Sequence, residues 1–245
     1  MGFTLMTNPA LGSLLPLLLG WAACRDRTQG LQRFRKSALG ALIILLCCLP
    51  WTVRNFIAFH RFIPLRSDLP FELWLGNNEV FDEDSPNVMA RITTFGEIRR
   101  YTELGETAYL HEKWQKALQF IRAHPGLETR LSGRRFVATW AGRDSPLKHF
   151  LETDSPFIKV VLLSNLVVAI GALLGLVVLY RRRSALTFPI AVFPAVFPCL
   201  YYVTHASLRY RHPIDPVVVL LTAVAAEALF QSLARSRGVK LSLPA

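Results

Sequence analysis

The stretch Phe157-Ile-Lys-Val-Val-Leu-Leu-Ser-Asn-Leu-Val-Val-Ala-Ile-Gly-Ala-Leu-Leu-Gly-Leu-Val-Val-Leu-Tyr180, followed at once by Arg181-Arg182-Arg183, decides how the chain is read. A helix needs about 20 apolar residues to cross a bilayer, and this run exceeds that. The arginine triplet at its end is the orientation signal of a cytoplasmic loop. Gly171 and Gly175 stand one turn apart, a small-xxx-small pair that permits close helix packing. Asn165 sits inside the run, where its amide is expected to form a helix–helix hydrogen bond. Lys159 lies near one end and is expected to snorkel.

The composition agrees with a membrane reading. Of the 245 residues, 52% are hydrophobic, and the mean hydropathy is +0.32. The net charge of +11 raises the possibility of nucleic-acid binding, but its distribution excludes that class. Between Arg54 and Asp154 there are 14 Lys and Arg against 14 Asp and Glu, so the one large polar segment is neutral. The excess lies beside apolar runs, at Arg25–Lys36, Arg181–Arg183 and Arg235–Lys240. A nucleic-acid-binding domain would carry it on the folded polar part. The four cysteines (24, 47, 48, 199) form no framework and have no metal-ligand spacing.

Five spans are expected, at residues 3–22, from Ser37 to Trp51 with an extension toward Phe59, at 157–180, at 186–205, and from Asp215 to about Ser232. The first contains Pro9 and Pro16. The fourth contains Pro189, Pro194 and Pro198, so it should be kinked or broken. Alternating sides then place all three basic clusters and the C-terminus in the cytoplasm. The expected organisation is two spans over 1–53, an extracytoplasmic domain over 54–156, and three spans over 157–245. The fold class is an all-α polytopic membrane protein of the inner membrane.

Within 54–156, residues 71–78 alternate apolar and polar residues and then turn, and 79–87 form an acidic loop. Leu110, Trp114, Ala117, Leu118 and Ile121 fall at helical spacing, and His124-Pro125-Gly126 ends that helix. Leu127 to Trp140 reads as an amphipathic surface helix resting on the membrane, with Arg130, Arg134 and Arg135 on its polar side.

His205-Ala-Ser-Leu-Arg209-Tyr210-Arg211-His212-Pro-Ile-Asp215-Pro216 is a cationic corner between the last two spans, with Asp215 placed to cap the fifth. Its arginines suit a phosphate, either a substrate's or a lipid headgroup's. The run Glu79, Asp82, Glu83, Asp84 has oxygen ligands but no calcium-loop spacing. Glu227, near the inner end of the fifth span, can meet water or the basic tail. The histidines form no pair at metal spacing, and no metal or cofactor is expected. No phosphate-cradling Gly-rich motif or Gly-x-Ser-x-Gly elbow occurs, so a transferase here would need a donor already activated, such as a lipid-linked one.

Two stretches carry a family resemblance. One is Leu49-Pro50-Trp51-Thr52-Val53-Arg54-Asn55 with Arg61-Phe62-Ile63-Pro64-Leu65-Arg66-Ser67 and Glu72-Leu73-Trp74-Leu75-Gly76-Asn77-Asn78. The other is Tyr201-Tyr202 through Arg209-Tyr210-Arg211-His212-Pro213-Ile214-Asp215-Pro216. Together they resemble the C-terminal half of bacterial GT-C membrane glycosyltransferases. That group is similar to dolichyl-phosphate-mannose protein mannosyltransferases (glycosyltransferase family 39) and to aminoarabinose transferases. Leu5-Met6-Thr7-Asn8-Pro9 looks like a mid-chain helix of the family.

The resemblance implies an inverting hexosyl or pentosyl transferase that uses a polyprenyl-phosphate sugar on the extracytoplasmic face. It makes Arg209, Tyr210, Arg211 and His212 contacts to the donor phosphate or sugar. Arg54, Asn55, Asn77 and Asn78 become possible outer-surface substrate contacts. The family's catalytic carboxylate belongs to its N-terminal half, so no base is transferred to this sequence. The expected partners are membrane lipid, the donor, and a separate N-terminal half or other membrane subunit. The alternative is a non-enzymatic membrane scaffold or binding module with an extracytoplasmic partner domain.

Overall fold

The computed structural model describes residues 2–26, 30–78 and 95–236, and every regular element among them is helical. The helices are α1 (Gly2–Thr7), α2 (Leu15–Arg25), α3 (Leu31–Phe59), α4 (Leu69–Gly76), α5 (Phe95–Leu104), α6 (Glu106–Ala123) and α7 (Pro125–Ala141). They continue as α8 (Pro146–Glu152), α9 (Pro156–Arg181), α10 (Thr187–Val196), α11 (Cys199–Val203), α12 (Leu208–Arg211) and α13 (Asp215–Ser236). Short 3-10 turns cover Pro9–Leu14 and His212–Ile214. The acidic run at 79–84, the loop around it, and Arg237 and Lys240 lie outside the described residues.

Three helical segments are long and apolar enough to cross a membrane: Phe34–Phe59, Pro156–Arg181 and Leu208–Ser236. Their apolar side chains face outward, as at Leu45, Ile57, Leu163 and Leu229. Such a surface suits lipid, which needs no polar cover. The other two apolar runs are interrupted. In the first, α1 stops at Thr7, and the Asn8 side chain accepts the Ala10 N–H at 3.0 Å, turning the chain into the 3-10 segment. In the second, α10 ends at Val196 and α11 starts at Cys199. Pro198, between them, has no N–H to continue the helix, so the expected break is observed.

The described residues fall into two compact units, each built from separated stretches: Met1–Leu11, Leu39–Phe136 and Cys199–Ala206 in the first, and Gly12–Ala38, Val137–Pro198 and Ser207–Ala245 in the second. In the first unit α4 packs on α6, and α5 packs on α6. Leu73, Leu75, Tyr109, Ala117, Phe120 and Leu131 are buried there. Within the alternating stretch 71–78, residues 71–76 belong to helix α4, whose Leu73, Leu75 and Gly76 are all buried, and the expected turn falls at Asn77 and Asn78.

The surface-helix reading of 127–140 needs correction. Leu131, Arg135 and Thr139 are all buried, so α7 turns an i, i+4 row containing an arginine inward. Charge alone does not place Arg135, because a guanidinium with enough acceptors can be enclosed.

In the second unit α9 packs along α13, and α10 packs against α2. Gly171 and Gly175 face α13 directly. A Cβ at Gly175 would overlap the Leu221 carbonyl, and one at Gly171 would overlap the Thr222 side chain. The close approach lets the Thr222 hydroxyl donate to the Val168 carbonyl at 3.0 Å. The small-xxx-small pair thus has the expected role.

Candidate functional site

The expected corner at 205–216 is mostly helix. Leu208–Arg211 is helical, His212–Ile214 is a 3-10 turn, and Asp215 already has helical backbone angles (φ −53, ψ −39). Asp215 therefore does not cap α13 by the side-chain route expected. Its Oδ1 accepts the Arg211 Nε–H at 2.7 Å, and its Oδ2 lies 2.8 Å from His212 Nδ1. These are i, i+4 and i, i+3 pairs, which meet on a helix and extend it through the proline-bearing stretch.

Arg211 is buried, with 5% of its surface exposed. Its Nη1 donates to the Thr139 and Trp140 carbonyls at 3.3 and 3.1 Å, and Nη2 donates to Asn165 Oδ1 at 2.7 Å. Asn165 donates in turn to the Val161 carbonyl at 2.9 Å. Asn165 thus makes the expected inter-helix hydrogen bond, with a guanidinium as its partner. Arg211, Asp215 and Asn165 form a buried, hydrogen-bonded cluster, the setting in which a charge is tolerated. Arg209 and His212 are exposed, and Tyr210 is half-buried.

Arg54 and Asn55 lie at the end of α3. Asn55 is buried, and its Nδ2 donates to the Ile63 and Leu65 carbonyls at 3.0 and 3.2 Å. Thr52 donates to the Pro64 carbonyl at 2.8 Å, and Trp51 Nε1 donates to the Leu65 carbonyl at 3.0 Å. The last turns of α3 therefore staple 63–65 to the helix. The reversal begins at His60, whose φ of 52° is left-handed. Exposed Arg54 donates to Asn55 Oδ1 at 3.1 Å and lies 5.4 Å from the Trp51 ring centroid.

Asn77 and Asn78 end α4. Asn77 Nδ2 donates to the Leu73 and Val203 carbonyls, both at 2.8 Å, while its Oδ1 accepts from Arg135 at 3.1 Å. Asn78 donates to the Trp74 carbonyl at 2.8 Å. Arg135 also donates to the carbonyls of Gly76, Tyr202 and Val203, and pairs with Glu128 at 3.0 Å. A Cβ at Gly76 would overlap the Thr204 carbonyl. The Gly76-Asn77 pair and Arg135 thus tie the end of α4 to the end of α11. Burial pushes the Glu128 carboxyl up, against the attraction of Arg135.

The sequence reading missed a second buried cation. Lys113 is fully buried on the row Tyr109–Lys113–Ala117 of α6. Its Nζ lies 3.6 Å from the Trp74 ring centroid, 4.9 Å from that of Tyr109, and 2.6 Å from Glu97 Oε2. The Tyr109 hydroxyl donates to the same Glu97 oxygen at 2.8 Å. Burial pushes the Lys113 ammonium down, and the Glu97 contact only partly offsets it. Burial and the Glu97 hydrogen bond push the Tyr109 hydroxyl up. Partial burial also acts to raise Glu97, but Lys113 and Tyr109 outweigh it and hold the carboxyl below its usual value. The two partners move as they do because the ammonium is enclosed while the carboxylate keeps some water. Helical period did not reveal this lysine, because it stands one turn before Ala117 at the edge of the apolar stripe 110, 114, 117, 118 and 121, where a lysine ordinarily extends to water.

The candidate residues therefore separate by role. Asn55, Asn77, Asn78 and Arg211 hold backbone and side chains of their own unit. Arg54, Arg209 and His212 present exposed surface. Among the described residues, no three His, Cys, Asp or Glu side chains gather as a metal set. No protein-family model, curated protein or solved structure matches this chain.

Proposed function

We propose that this chain is the carboxy-terminal portion of a multi-pass membrane glycosyltransferase. It takes a sugar from a polyprenyl-phosphate donor on the extracytoplasmic face, and the catalytic carboxylate comes from another segment or subunit. The five apolar runs cross the inner membrane, the interrupted two included, and 54–156 lies outside. The observation that carries this reading is the inward anchoring of Arg211 by Asp215 and Asn165. It leaves the neighbouring Arg209 and His212 exposed at the start of an apolar span, where a lipid-borne phosphate would arrive. Their share of the chemistry is to position the donor and to stabilise the charge of the departing phosphate.

The test is transfer from a radiolabelled undecaprenyl-phosphate sugar in membranes holding this chain and its carboxylate-bearing partner segment. Arg209→Ala and His212→Ala should each lower transfer about tenfold, the scale of one charged hydrogen bond near 1.5 kcal/mol. Unchanged transfer in both variants removes them from the donor site. A cysteine placed at exposed Gln119 should react with an impermeant thiol reagent in intact cells; protection there refutes the outer placement.

A non-enzymatic scaffold is the second reading. It is favoured by the internal use of Asn55, Asn77, Asn78 and Arg211. Absence of transfer, together with no labelling of the chain by a photoreactive undecaprenyl phosphate, would select it.

A further inference from the structure

Helix α8 leaves its apolar side chains uncovered. Leu147 and Leu151 are each 72% exposed, and Phe150 is 38% exposed. At about 100° per residue these three occupy one arc of roughly 100°. Lys148 and Glu152 stand together along one edge of that arc, both exposed. In water such an arrangement exposes apolar surface without compensation.

The neighbouring helix indicates what covers it. α8 packs against α9, and Lys159 Nζ lies 5.6 Å from the Phe150 ring centroid, which holds α8 beside the first turn of α9. That turn is itself uncovered: Phe157 is 74% exposed and Val160 63%. The uncovered residues of α8 therefore continue, beside its first turn, the apolar surface of a helix long enough to cross a membrane. Lys148 is exposed on α8, and Lys159 lies in the first turns of α9; lysines beside such apolar surface can extend their ammonium groups to lipid phosphates.

We propose that α8 is an interfacial helix. Leu147, Phe150 and Leu151 insert at the boundary of headgroups and acyl chains of the bilayer that α9 crosses, and Lys148 stays at the phosphates. The inference rests on the reading of Pro156–Arg181 as a span. It moves the membrane-resting role from α7, whose Leu131, Arg135 and Thr139 row is buried, to α8.

The experiment uses the full chain in phosphatidylglycerol-containing nanodiscs, with Cys24, Cys47, Cys48 and Cys199 replaced by alanine. Single nitroxide labels are placed at 147, 148, 151 and 152, and at Leu166 in the middle of α9. Collision rates with oxygen and with a water-soluble nickel chelate are compared at each site. The expected result is an oxygen-to-nickel ratio severalfold higher at 147 and 151 than at 148 and 152, and highest at 166. Equal, water-like ratios at all four α8 positions with a hydrocarbon value at 166 would overturn the proposal and leave the span intact. Low accessibility to both reagents at 147 and 151 would overturn it in favour of a protein partner. A water-like value at 166 would overturn the span reading, and the interfacial helix with it.

Discussion

Asn165 in α9 accepts a 2.7 Å hydrogen bond from the buried guanidinium of Arg211, so the central polar side chain of one apolar helix anchors the helical turn that opens another. The remaining donors of that guanidinium reach Asp215 and the Thr139 and Trp140 carbonyls. Replacing Asn165 by leucine leaves Nη2 without this acceptor. It should lower the stability of the solubilised protein by about 1–3 kcal/mol. Arg211→Ala should cost about 1.5–3 kcal/mol, because it removes the charged hydrogen bond to Asp215, leaving that carboxylate only His212, and takes the donor from Asn165 Oδ1. Thermal unfolding in one detergent measures both, and an Asn165→Leu protein that melts with the wild type would show that Nη2 finds another acceptor.

Glycine-to-alanine changes should separate by position. Gly175→Ala drives a methyl into the Leu221 carbonyl and must part α9 from α13, at a cost of about 1–3 kcal/mol. Gly20→Ala meets nothing within 4 Å and lies inside α2, so it should gain up to about 1 kcal/mol of helix propensity. The same unfolding assay reads both, and equal shifts would contradict the close helix approach.

Glu97 predicts an acid limb. Its folded pKa lies below the ordinary 4.5, so its contribution is present above that value and lost as pH falls through the depressed one. Glu128 acts in the opposite sense. Raised by burial, it favours the fold at acid pH, and that contribution disappears as pH rises through its elevated value. The stability difference between wild type and Glu97→Gln should therefore be level above 4.5 and shrink below it. Denaturant melts across about pH 3 to 7 test this, and a constant difference would remove the Glu97–Lys113 pair as its source.

Arg135 and Asn77 should be energetically coupled. Each holds the end of α4, and they hydrogen-bond one another at 3.1 Å. A double-mutant cycle with Asn77→Ala and Arg135→Met should return a coupling of about 0.5–3 kcal/mol. Strict additivity would mean that the two contacts act separately.

Much of the helical framework is legible in the residues, and the polar interior is not. The run 157–180, the break at Pro198 and the Gly171–Gly175 seam are legible because the residue types declare them: apolar length, a missing N–H, a missing side chain. An amide inside an apolar run declares the need of Asn165 for a partner, though not that the partner is Arg211. Arg135 and Lys113 are not legible, because their burial depends on acceptors far along the chain: Gly76 and Val203 for the arginine, Trp74 and Glu97 for the lysine. The cationic corner misleads for a related reason. Arg209 and Arg211 look alike in sequence, yet only Arg211 has an aspartate one helical turn ahead and an asparagine on another helix to receive it.

The staple at the end of α3 has a consequence for how this segment tolerates change. Trp51, Thr52 and Asn55 supply the side chains, whereas 63–65 supply only carbonyl oxygens. A carbonyl is the same whatever residue bears it. Substitution should thus be restricted on the helix side and permissive on the loop side. Ile63 and Leu65 can drift to other residues while the grip persists, and a library randomised over both halves should recover the three helix positions and little else.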